Sequence, residues 1–232
     1  MSAFPADLPP DLDDPTAIQQ HDWAAFRSLG YLENHWDRPG WTPGRRSYHW
    51  MLSFHDSDEV QHLAQQCQAQ LAFPALDLVP LDAVHLTLGR IGFTDDVDST
   101  AVHEVVSAAT WRCQQLAAFD LVIGPVAGSS GAIRFSVAPW SPLMALHRAL
   151  SGAAQAVLGQ RSAMDTASFR PHLSIAYANT TQPIPPLLPR LNSLRTLPTT
   201  TVTIASTLLV ELRREGRAYR YQRVARIELR PE

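Results

Sequence analysis

Apolar residues recur along this chain in two periods, and the two alternate in blocks. Residues 48–54, Tyr-His-Trp-Met-Leu-Ser-Phe, have the aromatic bulk of a strand. Val60, Leu63, Ala64, Cys67 and Leu71 then follow the 3.6-residue period of a helix, with Ser57 placed to cap it. Pro74 and Pro80 interrupt the chain before a second strand over 84–93. Val102, Val105, Val106, Ala109, Cys113 and Leu116 form one stripe of a helix over 99–118. Strands are predicted over 119–126 and 132–138, joined by the turn signal Gly128-Ser129-Ser130-Gly131. Ser141 followed by Pro142 reads as a helix start, the apolar stripe from Leu143 to Val157 as its body, and Gly159 as its stop. A loop of about a dozen residues should lead to a strand over 172–178. After a Pro-rich connector at 183–189, a closing hairpin is expected over 202–213 and 218–229, turning at Glu215-Gly216. Ahead of all this, residues 1–20 read as a Pro- and Asp-rich arm, 22–32 as a short helix and 35–46 as a loop.

The map contains a repeat. Strand 48–54 leads through a helix and a loop to His85. Strand 132–139 does the same to His172. From Phe54 to His85 is 31 positions and from Pro139 to His172 is 33. The two ends read His85-Leu86-Thr87-Leu88 and His172-Leu173-Ser174-Ile175. Strand side chains alternate, so each motif sets an imidazole and a hydroxyl on one face, about 6.6 Å apart, with the apolar pair in the core. A single such tetrad is commonplace and reads as a hydrogen-bonded, half-buried histidine. Two copies at equivalent places in a repeat converge on one cleft if the halves are related by a pseudo-two-fold axis.

Composition narrows the chemistry. The chain has 232 residues, 45% of them hydrophobic, with a net charge of −3. That supports a substantial core and excludes global disorder. All 19 basic residues are arginine. Without lysine there is no Schiff base, no Walker A loop and no lysyl-adenylate ligase. The slight acidity favours a small ligand or a nucleic-acid end over a long nucleic-acid track. Cys67 and Cys113 match no zinc spacing and read as core residues; no metal site and no cofactor are expected. No apolar run is long enough to cross a membrane, and the N-terminus shows no signal-peptide pattern, so a cytoplasmic location is expected.

The duplicated His-x-Thr/Ser-x pattern resembles the signature of the 2H phosphoesterases, which include bacterial 2′-5′ RNA ligase-like proteins and cyclic phosphodiesterases. Phe169-Arg170-Pro171-His172-Leu173-Ser174 is similar to the second motif with its lead-in. Val137-Ala138-Pro139 before a helix, and residues 208–212 before a Gly turn and Tyr219, are similar to later strands of that family. The resemblance covers about residues 47–230, and Ser174 stands where threonine is commoner. It implies an α+β fold of two lobes, mostly antiparallel sheets lining a central cleft with helices outside. Residues 1–46 would form an arm and loop, and 47–232 the bilobal domain with lobes carrying His85 and His172.

The chemistry fits the residues. One histidine takes a proton from the attacking water or hydroxyl, and the other protonates the leaving oxygen, both near neutral pH. Thr87 and Ser174 would hydrogen-bond the non-bridging phosphate oxygens. Two titrating histidines predict a bell-shaped pH–rate profile. Arg170, two positions before His172 with Pro171 between, is a candidate for the phosphate or for a rim salt bridge. Arg90 closely follows the first motif and is a further substrate-binding candidate. Tyr48, Trp50, Leu52 and Phe54 share a face; Tyr48 or Trp50 could stack a base, and a core face is the competing reading. Tyr177 is out of phase with His172 and should face the core unless a bulge intervenes. Seven arginines in the closing hairpin, with Tyr219 and Tyr221, could track RNA or be a solvated face.

The expected activity is therefore a metal- and ATP-independent phosphoesterase of the cyclic phosphodiesterase or 2′-5′ RNA ligase-like type. Its substrate would be a 2′,3′-cyclic phosphate or 2′,5′-phosphodiester on an RNA end or small nucleotide. The alternatives are a phosphodiesterase that degrades a cyclic (oligo)nucleotide signal, and a binding module for RNA ends or nucleotides without turnover.

Overall fold

The computed structural model describes residues 4, 7–159, 162, 164 and 168–231. Parts of the N-terminal lead and of the loop after Gly159 thus lie outside the described residues. In chain order the elements are α1 (Pro15–Arg27), β1 (Tyr31–Leu32), β2 (Arg46–Ser53), α2 (Asp58–Gln68), β3 (Leu76–Leu78) and β4 (His85–Phe93). There follow α3 (Ser99–Cys113), β5 (Phe119–Ser129), β6 (Ala132–Ala138), α4 (Trp140–Leu158), β7 (Leu173–Ala178) and β8 (Gln182–Pro183). The chain closes with α5 (Leu188–Leu194), β9 (Thr200–Ile204), β10 (Ser206–Glu215) and β11 (Ala218–Glu228).

Two antiparallel sheets carry the molecule. One has the order β11-β10-β2-β4 and the other β3-β7-β6-β5-β9. The repeat is visible in both: β2 lies beside β4, which carries His85, and β6 beside β7, which follows His172. The helices are exchanged. α2 follows β2 yet packs against β7 and β9 of the other sheet, where the Gln68 amide donates to the Ile175 carbonyl at 2.9 Å. α4 follows β6 yet packs on β4 and on α3. One large core runs through both halves, built from Trp50, Leu52, Leu86 and Leu88 on one sheet and Phe135, Val137, Leu173 and Ile175 on the other. The exchange ties the halves into one hydrophobic unit.

Several elements depart from the sequence reading. The first helix begins at Pro15 rather than at residue 22, because Asp14 caps it by accepting from the Thr16 and Ala17 N–H groups and Pro15 fills its first position. α3 stops at Cys113, and Leu116 lies beyond its end. Ser141 does not cap α4. The helix starts at Trp140, two residues before Pro142, and Asp13 caps it from afar: the Ser141 N–H and hydroxyl both donate to the Asp13 carboxylate. The expected strand 202–213 is two strands. Residues 200–204 pair with β5 in one sheet; from Ser206 the chain pairs with β11, and from Leu208 also with β2, in the other. The hairpin turn falls where expected, with Gly216 at φ +58°. α1 packs across β5 and β6, and the Phe26 ring fills the space that a Cβ on Gly128 would need.

Candidate active site

The motif residues meet in one cleft of about 480 Å³, lined by His85, Thr87 and Arg90 from β4 and by His172, Ser174 and Tyr177 from the other half. His49 of β2 and Tyr219 of β11 also line it. The volume lies in the usual range for a small-molecule site, roughly 300–1,000 Å³. Among the described residues no three of His, Cys, Asp and Glu stand together as metal ligands.

The two histidines are held alike. His85 Nδ1 lies 2.7 Å from the Ala83 carbonyl, and His172 Nδ1 lies 2.8 Å from the Arg170 carbonyl, in each case two residues back along the chain. A carbonyl can only accept, so each Nδ1 carries a proton. In the neutral ring, Nε2 is then the atom with the lone pair. Burial pulls both imidazoles below their ordinary value, partly opposed at His85 by the Ala83 carbonyl. At His172 the Arg134 charge adds to burial and takes the group down to about 4. Both rings are therefore neutral bases near pH 7 in the free protein.

Each motif is followed by a β-bulge. Between Met51 and Trp50, β4 advances from Thr87 to Gly89, leaving Leu88 unpaired; between Arg134 and Ile133, β7 advances from Ser174 to Ala176, leaving Ile175 unpaired. The extra residue reverses the alternation. Arg90 and Tyr177, each five positions after the motif histidine, consequently line the cleft, Tyr177 while still buried at the edge of the main core. Tyr177 thus keeps the core burial that alternation predicts and, through the bulge, also reaches the cleft. Its hydroxyl is pushed up by burial and by Tyr219, so it stays protonated. Arg90 is held over the Phe93 ring at 4.8 Å.

The remaining sequence candidates fall elsewhere. Trp50 is wholly buried in the main core and offers no stacking face. Tyr48 packs against that core and does not line the cleft, because both side chains lie on the face of β2 turned into the core. Arg170 is buried and outside the cleft lining; its Nη1 donates to the Phe169 carbonyl, and its own carbonyl orients His172. Cys67 and Cys113 are buried, and burial pushes their thiols up to about 12 and about 11.

Other lining residues were not picked out as site residues. His49 matches no motif in the sequence, and the phase of β2 places it opposite Arg90, away from the Tyr48–Trp50 face. Burial and the Arg90 charge take it down to about 3. Phe4, His35, Arg38, Pro39 and Trp41 come from the stretch before β2, where no periodic signal marks them. His35 stacks on Tyr177 with ring centroids 3.9 Å apart, and its Nε2 lies 3.2 Å from the Tyr219 hydroxyl. Burial and the charges of Arg38 and Arg214 take His35 down to about 3. The Phe4 ring lies against His172, with centroids 4.6 Å apart. Beneath the site, Arg134 pairs opposite Ser174 on the neighbouring strand and forms a buried two-pronged ion pair with Asp22 of α1, at 2.9 and 3.0 Å. Burial pushes the Asp22 carboxyl up, but the Arg134 guanidinium outweighs it and holds the group below the usual carboxylate range.

No curated protein matches the chain in sequence. Among solved structures the fold is similar to TT0787 of Thermus thermophilus, at 17% identity and a TM-score of 0.60, covering 81% of this chain and 99% of that one. It is similar also to E. coli LigT complexed with 3′-AMP, at 16% identity and a TM-score of 0.58, covering 80% of this chain and 98% of that one. A further structure, of a phosphoesterase, matches at 18% identity and a TM-score of 0.58, covering 80% of this chain and 99% of that one. At such identities these likenesses show the fold, two sheets with the cleft between them. The family model of the 2′-5′ RNA ligase superfamily matches residues 53–215, which hold both histidine motifs and the strands that carry them, and the chain belongs to that superfamily.

Proposed function

We propose that the cleft hydrolyses a phosphodiester by two-histidine general acid–base catalysis, on a 2′,3′-cyclic phosphate or 2′,5′-phosphodiester of an RNA end or small nucleotide. The observation that carries this reading is the matched anchoring of His85 and His172. Each Nδ1 is tied to the carbonyl two residues back, so each ring presents Nε2, beside a hydroxyl two residues further on. Membership of a superfamily named for 2′-5′ RNA ligation supports it, as do the similar LigT structures complexed with 3′-AMP, ATP and NADP+.

The steps follow from the groups. One neutral imidazole takes a proton from water as its oxygen attacks phosphorus. The bond from phosphorus to the leaving ribose oxygen breaks, and the other histidine, protonated, gives that oxygen its Nε2 proton. Thr87 and Ser174 donate to the non-bridging oxygens, where charge accumulates. An anionic phosphate beside two neutral imidazoles favours protonation of one of them, which supplies the acid. With a 5′-hydroxyl in place of water, the same two transfers join two ends.

The test is turnover of 2′,3′-cyclic mononucleotides and 2′,5′-linked dinucleotides in the presence of a chelator. Turnover that falls at least about 10²-fold in Thr87→Val and Ser174→Ala, with a larger fall in His85→Ala, is expected. Tight nucleotide binding with no turnover of any of them contradicts the reading.

A further inference from the structure

The family model begins at residue 53, and the similar structures leave about a fifth of this chain unmatched. Yet part of the cleft wall comes from before that point: Phe4, His35, Arg38, Pro39 and Trp41. This stretch is fastened to both halves of the molecule. On one side the His35 N–H donates to the Ala178 carbonyl at 2.8 Å and the Trp36 indole N–H to Asp77 at 2.8 Å. On the other, the Arg214 guanidinium donates to the Trp36 carbonyl at 2.9 Å and lies over the Trp36 and Trp41 rings. Further along, Gly40 turns at φ +83° against the Phe93 ring, and its carbonyl accepts from Arg45, which also holds Asp95 and Asp96. Residues 35–45 thus bridge the two sheets as a fixed wall across one end of the cleft.

That wall brings a guanidinium. Arg38 donates through Nε to the His35 carbonyl and through Nη2 to the His35 ring, which uses two of its five N–H groups and orients the rest. Arg90 enters from β4 and lies over the Phe93 ring, against which Gly40 and Trp41 of the wall pack. Among the described residues no carboxylate lines the cleft, in a chain whose net charge is −3, and the nearby Arg134 is already neutralised by Asp22. A phosphodiester carries one negative charge, and the four motif side chains already serve it. Two further guanidinium groups exceed that need.

We propose that Arg38 is a second anion site, and that the cleft takes a nucleotide whose 5′-phosphate binds there while the reactive phosphate lies between His85 and His172. Trp41 and Tyr219, at ring centroids 6.2 Å apart beside this site, are the apolar surface for the rest of the nucleotide. The reading rests on the proposed function for the identity of the reactive group, and its test separates the two. In the full chain, calorimetric binding of adenosine 3′-monophosphate is compared with that of adenosine 3′,5′-bisphosphate, neither of which turns over. The bisphosphate should bind at least about tenfold more tightly, a preference that shrinks with added salt. Arg38→Gln should remove most of the preference, and Arg38→Lys should restore part of it, since lysine keeps the charge and loses the fork. Arg38 is exposed, so neither change should disturb folding, which a thermal melt checks. Equal binding of the two ligands by the wild type, or a preference that survives Arg38→Gln, overturns the proposal whatever the turnover assays show. In turnover, the 5′-phosphorylated cyclic nucleotide should show the same preference in KM, and Arg38→Gln should abolish it.

Discussion

A histidine whose Nδ1–H is bound to a backbone carbonyl has one nitrogen left for chemistry, and its ring cannot turn without losing that bond. His85 and His172 both stand so, on carbonyls two residues back. The motif was legible in the sequence because alternation alone groups His with Thr or Ser. The anchoring carbonyls were not, since they depend on backbone direction just before each strand. Arg170 illustrates the difference: its side chain was a candidate, but its carbonyl is what touches the site residue. The surroundings of the two rings also make a pH prediction. Burial lowers both imidazoles, His172 to about 4. One protonated and one neutral ring coexist only between the two apparent pKa values of the pair. A bell-shaped kcat/KM profile with its maximum below about pH 6.5 follows, because that ratio reports the free enzyme. The kcat profile should peak at higher pH, as bound phosphate favours the imidazolium. A kcat/KM profile flat from about pH 5 to 8 contradicts this.

Strands and helices obeyed their periods wherever the ladder was regular. α2 shows the expected stripe as far as Cys67, with Leu71 beyond its end, and its Ser57 cap, and β6 has the predicted ends. The misplacements come from irregular points. A bulge after each motif sends Arg90 and Tyr177 into the cleft, and period-two reasoning has no access to a bulge. The chain switches sheets at Ala205, where continuous β-branched and apolar residues hide the break. Side chains from distant elements also override local cues, as Asp13 does at the start of α4. The buried Asp22–Arg134 pair, which fastens α1 beneath the site, gives a prediction at this scale. Asp22→Ala strands a buried guanidinium and should cost about 3–5 kcal/mol in urea unfolding. Replacing both residues, as Asp22→Leu with Arg134→Met, should recover most of that loss. A single-variant cost below about 1 kcal/mol contradicts a buried, mutually dependent pair.

The whole molecule is one core wrapped by exchanged helices, with a cleft that buries several neutral histidines. His35 and His49 are taken down to about 3, His172 to about 4, and His85 is lowered too. The unfolded chain therefore binds more protons than the folded one at pH values below about 6.5. Stability is complete above that value and falls as the pH drops toward about 3–4, by up to about 1.4 kcal/mol per pH unit for each such histidine. The Tm should fall steadily between about pH 7 and pH 5, and less steeply in His35→Phe; a Tm unchanged over that range contradicts the burial of neutral rings. The repeat and the pairing of two motifs were legible from spacing, but the exchange of helices was not, since it requires knowing which sheet each helix covers. Nor was the wall from residues 35–45, whose Trp, Arg, Pro and Gly carry turn signals without a direction. The most direct test of a single site built from both halves is a double-mutant cycle in kcat/KM on a 2′,3′-cyclic nucleotide, using His85→Ala, His172→Ala and the pair. Each single variant should lose at least about 10²-fold, and the double should lose far less than the product of the two. Losses that multiply, or a single variant as active as the wild type, contradict a shared two-histidine site.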